Sequence, residues 1–371
     1  MSLTGIALIV LLIAAALVLA LGAAFLRVRR RTVLALVLVL VSTASGVGAA
    51  LAAANRQVLM YPTWSSLVGS PPTVTGPPAR GRHLIKPVVT RSGTGSAITR
   101  YSMPGPVPGL TRYVYVYTPP GYNDPHNARV RYPVIQVFNG FPGGPLTWLY
   151  RLDLGTYMDA EIAAGRMAPT VAVVAEQNVS PGKDSECVNA VHGPQLDTWL
   201  SHQVVRSVEA NFRVLRSALS WGTLGYSTGG FCAANIAYRH PDSYSAAASL
   251  SGYFTPLVDR TTGDLYKGDT AAYRANDMIW KIEHQPSRVP SLPIYAAAGG
   301  GDHQGRRAVE QLLAIARPPL QVTPAVLPTG GHSMAVWDTL LAPALDWLST
   351  HIGGPQPPAA TPPVRGSGRS S

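Results

Sequence analysis

The residues best suited to chemistry lie in Gly225-Tyr-Ser-Thr-Gly229, a G-x-S-x-G pattern. An apolar run at residues 221–224 precedes it and a segment with helical spacing follows it, which predicts a sharp turn from a strand into a helix. Small residues beside Ser227 let such a turn close and lift the hydroxyl to the edge of a sheet. The pattern also occurs in ordinary tight turns, but in this context it predicts a nucleophilic serine.

A serine hydroxyl needs a general base, and after this kind of turn the chain order is serine, acid, histidine. His332 lies in a loop with two preceding glycines, between a strand-like stretch at residues 320–327 and the last helical segment. The glycines allow the loop to reach toward Ser227. We therefore predict that His332 is the base; a histidine in a surface loop is the alternative.

The acid is expected after the apolar run at residues 293–298, where Gly299-Gly-Gly-Asp302 follows. A glycine run that ends in an aspartate suits a carboxylate that must bend back to a histidine. Glu310 is a second candidate, but its spacing places it inside a helix. We predict Asp302 as the acid; capping the helix that follows is the alternative role, because aspartate is favoured there too.

Two backbone N–H groups are expected to stabilise developing negative charge beside the nucleophile. The Thr228 N–H comes at the start of a helix, where such charge is favoured. A second donor normally comes from the loop after the first central strand, here the glycine-rich residues 138–145. Pro142 has no N–H, so we predict the Phe141 amide, with a glycine amide as the alternative.

Strands and helices must alternate to bring these residues together. Tyr113-Val-Tyr-Val-Tyr117 alternates as a strand does. Apolar runs suited to buried parallel strands lie at residues 133–138, 170–176, 221–226, 246–251 and 293–298. Segments with helical spacing separate them, at residues 196–210, 230–240, 305–315 and 334–348. The alternation predicts an α/β fold with a doubly wound, mostly parallel sheet, whose catalytic groups gather at the carboxyl ends of its strands.

Two uncharged apolar segments open the chain, at residues 3–26 and 32–55. Each is long enough to span a membrane as a helix. Four of the five residues from 27 to 31 are arginines, and basic loops stay on the cytoplasmic side, so all that follows residue 55 is expected outside the cytoplasm. This predicts a multi-pass protein of the cell membrane. The second segment is weaker and ends in small residues, so cleavage there as an internal signal sequence is an alternative.

The rest of the chain divides by composition. Residues 56–85 are rich in Pro, Gly, Ser and Thr and are predicted to be a linker, and residues 353–371 a disordered tail. Between them, residues 86–352 have the length of one large α/β catalytic domain. The net charge of +11 comes from the eleven basic residues that precede Asp124, the first acidic residue, and the remaining body is neutral. That distribution argues against nucleic-acid binding.

The chain has two cysteines, Cys187 and Cys232, too few and too far apart for a zinc ribbon. In an exported domain they could form a disulfide, and two separate buried thiols are the alternative. No metal-ligand cluster, phosphate loop or dinucleotide fingerprint is present in the sequence, so we expect no cofactor.

The sequence resembles the putative-esterase family of α/β-hydrolases, which includes esterase D-type enzymes and the antigen 85 mycolyltransferases. Three stretches carry the likeness: the Ser227 motif with Tyr238-Arg-His-Pro-Asp242 and Ser249-Leu-Ser-Gly252, the loop 138–144 with Trp148, and Gly331-His-Ser-Met-Ala-Val-Trp337. The resemblance implies an α/β-hydrolase fold over residues 100–350. It implies Ser227, Asp302 and His332 as the triad and the Phe141 and Thr228 amides as the oxyanion hole.

Together with the two predicted membrane segments, the resemblance implies a membrane-anchored serine esterase that works through an acyl-enzyme on ester or acyl-lipid substrates. The mycolyltransferase branch differs after the oxyanion glycine, where this chain has Pro142-Gly-Gly144, and in its acid, which is usually glutamate. Acyl transfer to a cell-envelope acceptor is therefore an alternative. A non-catalytic envelope-binding protein that kept the fold is another.

Overall fold

The computed structural model describes residues 5–28, 31–58, 85–180 and 182–357. Arg29 and Arg30, most of the predicted linker and most of the predicted tail lie outside these residues.

Helices α1 (Ile6–Val28) and α2 (Thr32–Val58) are long and apolar enough to cross a membrane, by length and composition. They pack together, and the Ser42 hydroxyl on α2 donates to the Ala16 carbonyl on α1 over 2.8 Å. Helix α2 continues three residues into the predicted linker.

A larger body of strands and helices follows. Its strands are β1 (Ile85–Arg91), β2 (Ala97–Pro104), β3 (Thr111–Thr118), β4 (Val134–Phe138), β5 (Val171–Ala175), β6 (Trp221–Tyr226), β7 (Ala246–Leu250), β8 (Pro293–Ala298) and β9 (Gln321–Val326). Its helices are α3 (Leu154–Ala163), α4 (Val205–Asn211), α5 (Thr228–Arg239), α6 (Thr270–Asn276), α7 (Met278–His284), α8 (His303–Ile315) and α9 (Met334–Ile352). Short 3-10 turns at Pro125–Asn127, Ala218–Ser220 and Pro286–Arg288 and a π-helical turn at Thr147–Arg151 connect them.

Across the described ranges, nine strands form one sheet in the order β1-β2-β3-β5-β4-β6-β7-β8-β9. The pairs β1–β2, β2–β3 and β3–β5 are antiparallel, and all pairs among β4 to β9 are parallel. Strands β4, β6, β8 and β9 therefore end at one edge of the sheet, where catalytic groups gather in this class of fold. The predicted doubly wound, mostly parallel sheet is confirmed.

Helices cover both faces of the sheet because its central strands are apolar on both faces. Along β5, Val171 and Val173 belong to one buried core while Ala172 and Val174 belong to the other. Helices α4, α5, α7 and α8 contribute to the first core, and α3 and α9 to the second. This three-layer packing holds rigid the strand ends that carry the candidate site.

Two segments differ from their predicted form. The helix expected at residues 196–210 is interrupted, because α-helical Leu196–Thr198 is followed by π-helical Trp199–Val204 before α4 begins. At the other end of the body, Gln356 exchanges two backbone hydrogen bonds with Arg131, of 2.9 and 3.0 Å. The first residues of the predicted tail are thus paired with the body.

Candidate active site

Ser227 stands alone between β6 and α5, in a backbone conformation that only a constrained turn maintains. Its φ of 55° and ψ of −127° are strained for a residue with a side chain. The turn is tight enough that a Cβ at position 225 would lie 1.9 Å from the Gly229 carbonyl oxygen, and one at position 229 would lie 2.2 Å from the Phe138 carbonyl oxygen. Glycine is therefore required at both positions, as the motif predicted.

The histidine loop brings its imidazole to the serine. His332 Nε2 lies 2.9 Å from Ser227 Oγ, and His332 Nδ1 lies 2.8 Å from Asp302 Oδ2. The Trp337 ring meets the imidazole edge to face, with centroids 5.0 Å apart, and stacks on Tyr226. Three residues that are far apart in the chain thus form one hydrogen-bonded chain in which the histidine bridges hydroxyl and carboxylate.

Asp302 is almost fully buried and divides its two oxygens between two donors. Oδ1 accepts the Gly305 N–H at 3.0 Å, and Oδ2 faces His332. Burial by itself raises the pKa of this carboxyl, but the hydrogen bonds with the Gly305 N–H and with His332 outweigh it and hold the pKa below its ordinary value. The two roles considered for Asp302, helix cap and partner of the histidine, are both present. Glu310 instead pairs with Arg306 on α8.

The loop that follows β4 crosses directly over Ser227. A Cβ at Gly140 would lie 2.9 Å from the Ser227 Cβ. The Gln177 side chain holds the loop, accepting from the Asn139 N–H at 2.9 Å and donating to the Asn139 carbonyl at 2.8 Å. Within the described part of the chain, neither the Phe141 nor the Thr228 N–H donates to another protein group. Both amides are therefore available to an oxygen of a ligand.

The two cysteines form a disulfide. Cys187 and Cys232 are joined at 2.06 Å, with a Cα separation of 5.6 Å. Cys232 lies within the first two turns of α5, and Cys187 lies in residues 182–193, which we call the carboxylate loop. The bridge therefore ties this loop to the helix that begins directly after Ser227.

The carboxylate loop brings two acidic residues to the site that the sequence patterns did not single out. Asp184 Oδ2 accepts the Thr228 hydroxyl at 2.7 Å, and Glu186 Oε1 accepts the Tyr253 hydroxyl at 2.7 Å. The signal that could have found Asp184 is the disulfide itself, because Asp184 and Thr228 lie three and four residues from its two ends. No group of three or more potential metal ligands was found among the described residues.

A family model and known proteins match this chain. The family model described as putative esterase matches residues 107–348. An uncharacterized protein of Corynebacterium glutamicum is 28% identical over 252 residues, which is 65% of this chain and 58% of that protein. The chain thus spans less than two thirds of the length of this relative.

Solved structures share the architecture. An S-formylglutathione hydrolase from Agrobacterium tumefaciens is similar with a TM-score of 0.60 at 18% identity, over 73% of this chain and all of that one. A ferulic acid esterase is similar with a TM-score of 0.58 at 17% identity, over 70% of this chain and 99% of that one. At these identities the likeness shows the fold, and the predicted α/β-hydrolase fold is confirmed.

Proposed function

Because the chain belongs to the putative esterase family, we propose that it hydrolyses carboxylic esters with Ser227, His332 and Asp302 as its catalytic triad. The observation that carries the proposal is the continuous contact from Ser227 Oγ through His332 to Asp302, at 2.9 and 2.8 Å. This is the arrangement that converts a weakly nucleophilic hydroxyl into a nucleophile at neutral pH.

The reaction proceeds in two halves. Ser227 Oγ attacks the ester carbonyl carbon while its proton passes to His332 Nε2, and the resulting imidazolium gives that proton to the departing alcohol. This leaves the acyl group on Ser227. Water then gives its proton to His332 and attacks the acyl-enzyme, and the carboxylic acid leaves as Ser227 regains its proton.

Each half passes through a tetrahedral intermediate whose oxygen carries a negative charge. The Phe141 and Thr228 N–H groups are proposed to stabilise that charge, and their freedom from other acceptors within the described residues supports this role. Asp302 stays ionised because its pKa is held low, so it stabilises the imidazolium and fixes which nitrogen of His332 faces the serine.

The removal of the nucleophile tests the activity. We expect Ser227→Ala to lower the turnover of p-nitrophenyl esters by about 10⁴-fold or more, since the triad acts as a unit. Labelling by a fluorophosphonate probe should vanish in the same variant. Ser180→Ala, at an exposed serine, is the control and should retain both signals. Wild-type turnover in purified Ser227→Ala would defeat the proposal.

The enzyme is proposed to be anchored in a membrane by α1 and α2, with its catalytic body outside the cytoplasm. Supporting this are the apolar length of both helices, the arginines between them and the disulfide, which forms in oxidising compartments. Trypsin added to intact spheroplasts is expected to digest the body; protection of the body until lysis would place it inside.

A further inference from the structure

A buried polar cluster lies directly behind the first turn of α5. Thr228 Oγ1 donates to Asp184 at 2.7 Å, and the Tyr253 hydroxyl lies 3.4 Å from the same Thr228 oxygen while it donates to Glu186. The side chains of Asp184, Glu186 and Thr228 are all buried. These side chains therefore lie out of contact with bulk water.

Thr228 has two hydrogen-bond donors, and only one of them has a protein acceptor among the described residues. Its hydroxyl is fixed by Asp184, whereas its N–H has no acceptor among the described residues and is the proposed oxyanion donor. The hydroxyl bond to a buried carboxylate anchors the Thr228 side chain, and so restrains the position of the first residue of α5, whose N–H is the proposed donor. Since the strength of an N–H hydrogen bond depends steeply on its angle, this contact affects how well the N–H meets an oxyanion.

The arrangement is costly, which distinguishes it from ordinary packing. Burial raises the pKa of Asp184, and it raises the pKa of Glu186 to about 8 despite hydrogen bonds from the Leu257 N–H and the Tyr253 hydroxyl. Glu186 and Cys187 also have positive φ angles, of 45° and 55°. Buried carboxyls and strained backbone in one short loop are typical of segments that serve a site.

The loop is also held against α5 directly by the disulfide and indirectly through Tyr253, which donates to Glu186. The Cys187–Cys232 disulfide joins them covalently, and Phe231 on α5 stacks on Tyr253 with centroids 5.0 Å apart. Asp184 itself is anchored by its N–H, which donates to the Thr261 carbonyl at 3.0 Å, and by Oδ1, which accepts the Glu186 N–H. A carboxylate anchored in this way can hold a hydroxyl in one place.

We propose that Asp184 is a positioning residue of the oxyanion hole, which acts by holding the Thr228 hydroxyl and thereby aiming the Thr228 N–H. The inference rests on the proposed esterase function. Asp184 touches no reacting atom, so its effect is confined to the transition state and the tetrahedral intermediate, and ground-state binding of the ester is unaffected.

The test uses the full chain in detergent and compares Thr228→Val, Thr228→Ser and Asp184→Asn. Valine matches threonine in shape but lacks the hydroxyl, and serine restores it. Asp264→Asn is the matched control. Asp264 lies in a neighbouring loop, and its exposed carboxylate accepts from the Tyr266 and Lys267 N–H groups.

Each variant is assayed with p-nitrophenyl butyrate and with a trifluoromethyl ketone. Ser227 Oγ adds to the carbonyl carbon of the ketone, His332 takes the serine proton, and the ketone oxygen becomes an oxyanion in the hole.

Thr228→Val is expected to lower kcat and to raise the Ki of the ketone by about tenfold each, with KM within about twofold, the scale of a misaligned catalytic group. Thr228→Ser should recover most of both losses relative to valine, Asp184→Asn should resemble Thr228→Val, and Asp264→Asn should match the wild type. Titration of active sites with a fluorophosphonate measures the fraction of protein that is folded. A variant whose only defect is partial unfolding would therefore keep the wild-type Ki and the wild-type kcat per active site.

An unchanged Ki and kcat in Thr228→Val, in a wild-type background that hydrolyses the ester, overturns the positioning role and leaves the esterase function intact. A wild-type chain that neither hydrolyses esters nor reacts with the fluorophosphonate overturns both.

Discussion

Two segments meet at the first turn of α5 and are held there in different ways. The nucleophile turn, residues 225–229, is fixed by close backbone packing: both of its outer glycines approach carbonyl oxygens within distances that no side chain tolerates. The carboxylate loop is fixed by distant partners, namely a disulfide to Cys232, a hydroxyl of Thr228 and a backbone carbonyl of Thr261. The turn is held by steric contact with backbone atoms, and the loop by a disulfide and hydrogen bonds.

The difference determines how each segment fails. Where backbone atoms are in close contact, an added methyl group has no room and must displace the backbone. Polar and covalent constraint is graded, since breaking one hydrogen bond or one disulfide leaves the other restraints in place. Changes in the turn should therefore abolish activity, while changes in the loop should weaken stability or lower the rate by moderate factors.

The largest effect is expected from Gly229→Ala. Its Cβ would lie 2.2 Å from the Phe138 carbonyl oxygen, so either β4 or α5 must move and Ser227 must leave His332. We expect kcat/KM to fall by more than about 10²-fold, with a loss of about 1–3 kcal/mol in stability. Gly182→Ala, where a Cβ would meet open space, should change neither quantity. If Gly229→Ala keeps full activity, steric constraint does not set the turn.

Loss of the disulfide should be next in size. The bridge closes 45 residues, and removing it with Cys187→Ala and Cys232→Ala together is expected to cost about 4 kcal/mol, which lowers Tm by roughly 10 °C. Thermal unfolding in detergent, followed by tryptophan fluorescence, measures the shift, and reduced wild-type protein should reproduce it. A Tm unchanged in both would show that the loop is held without its covalent link.

The last effect is seen only as a change of stability with pH and concerns Glu186, whose pKa is raised to about 8 because the carboxyl is buried. The folded state then binds a proton that the unfolded state has released, so this stabilisation is complete below about pH 4.5 and is lost as the pH rises through about 8. The wild type should therefore lose stability from this group as the pH rises through that window. Glu186→Gln removes this loss. The Tm of the variant should therefore rise relative to the Tm of the wild type between about pH 5 and about pH 8, whereas the Tm difference between Glu283→Gln, at an exposed carboxylate, and the wild type should stay constant. The same difference at both pH values for Glu186→Gln would contradict a buried, protonated carboxyl.

Most of the parallel sheet could be predicted from the sequence. The strands at residues 221–226 and 293–298 have the expected bounds, because buried parallel strands are continuous apolar runs. Strands β1 and β2 carry no such run and were not separately predicted. The π-helical interruption at Trp199–Val204 was also missed, since its side chains keep an apolar spacing that resembles that of an α-helix.

The site was predictable where its chemistry is local. Ser227, Asp302 and His332 each stand in short glycine-containing loops after strands, and the fold brings them together because those strands end at one edge. Asp184 and Glu186 lie in a loop without periodicity, and their partners Thr228 and Tyr253 lie 44 and 67 residues away. Their roles depend on which surfaces meet after folding, so no local pattern shows them.

Because Asp302 both caps a helix and contacts the histidine, the orientation of its carboxylate is set before an ester binds. With one oxygen held by Gly305 and the other by His332, the carboxylate has no free rotation left to lose when the ester binds. The entropy of aligning the base is thus given up once, when the chain folds, and is not required again in each turnover. Because the start of α8 holds Asp302 in place, the imidazole can change its charge without changing its position.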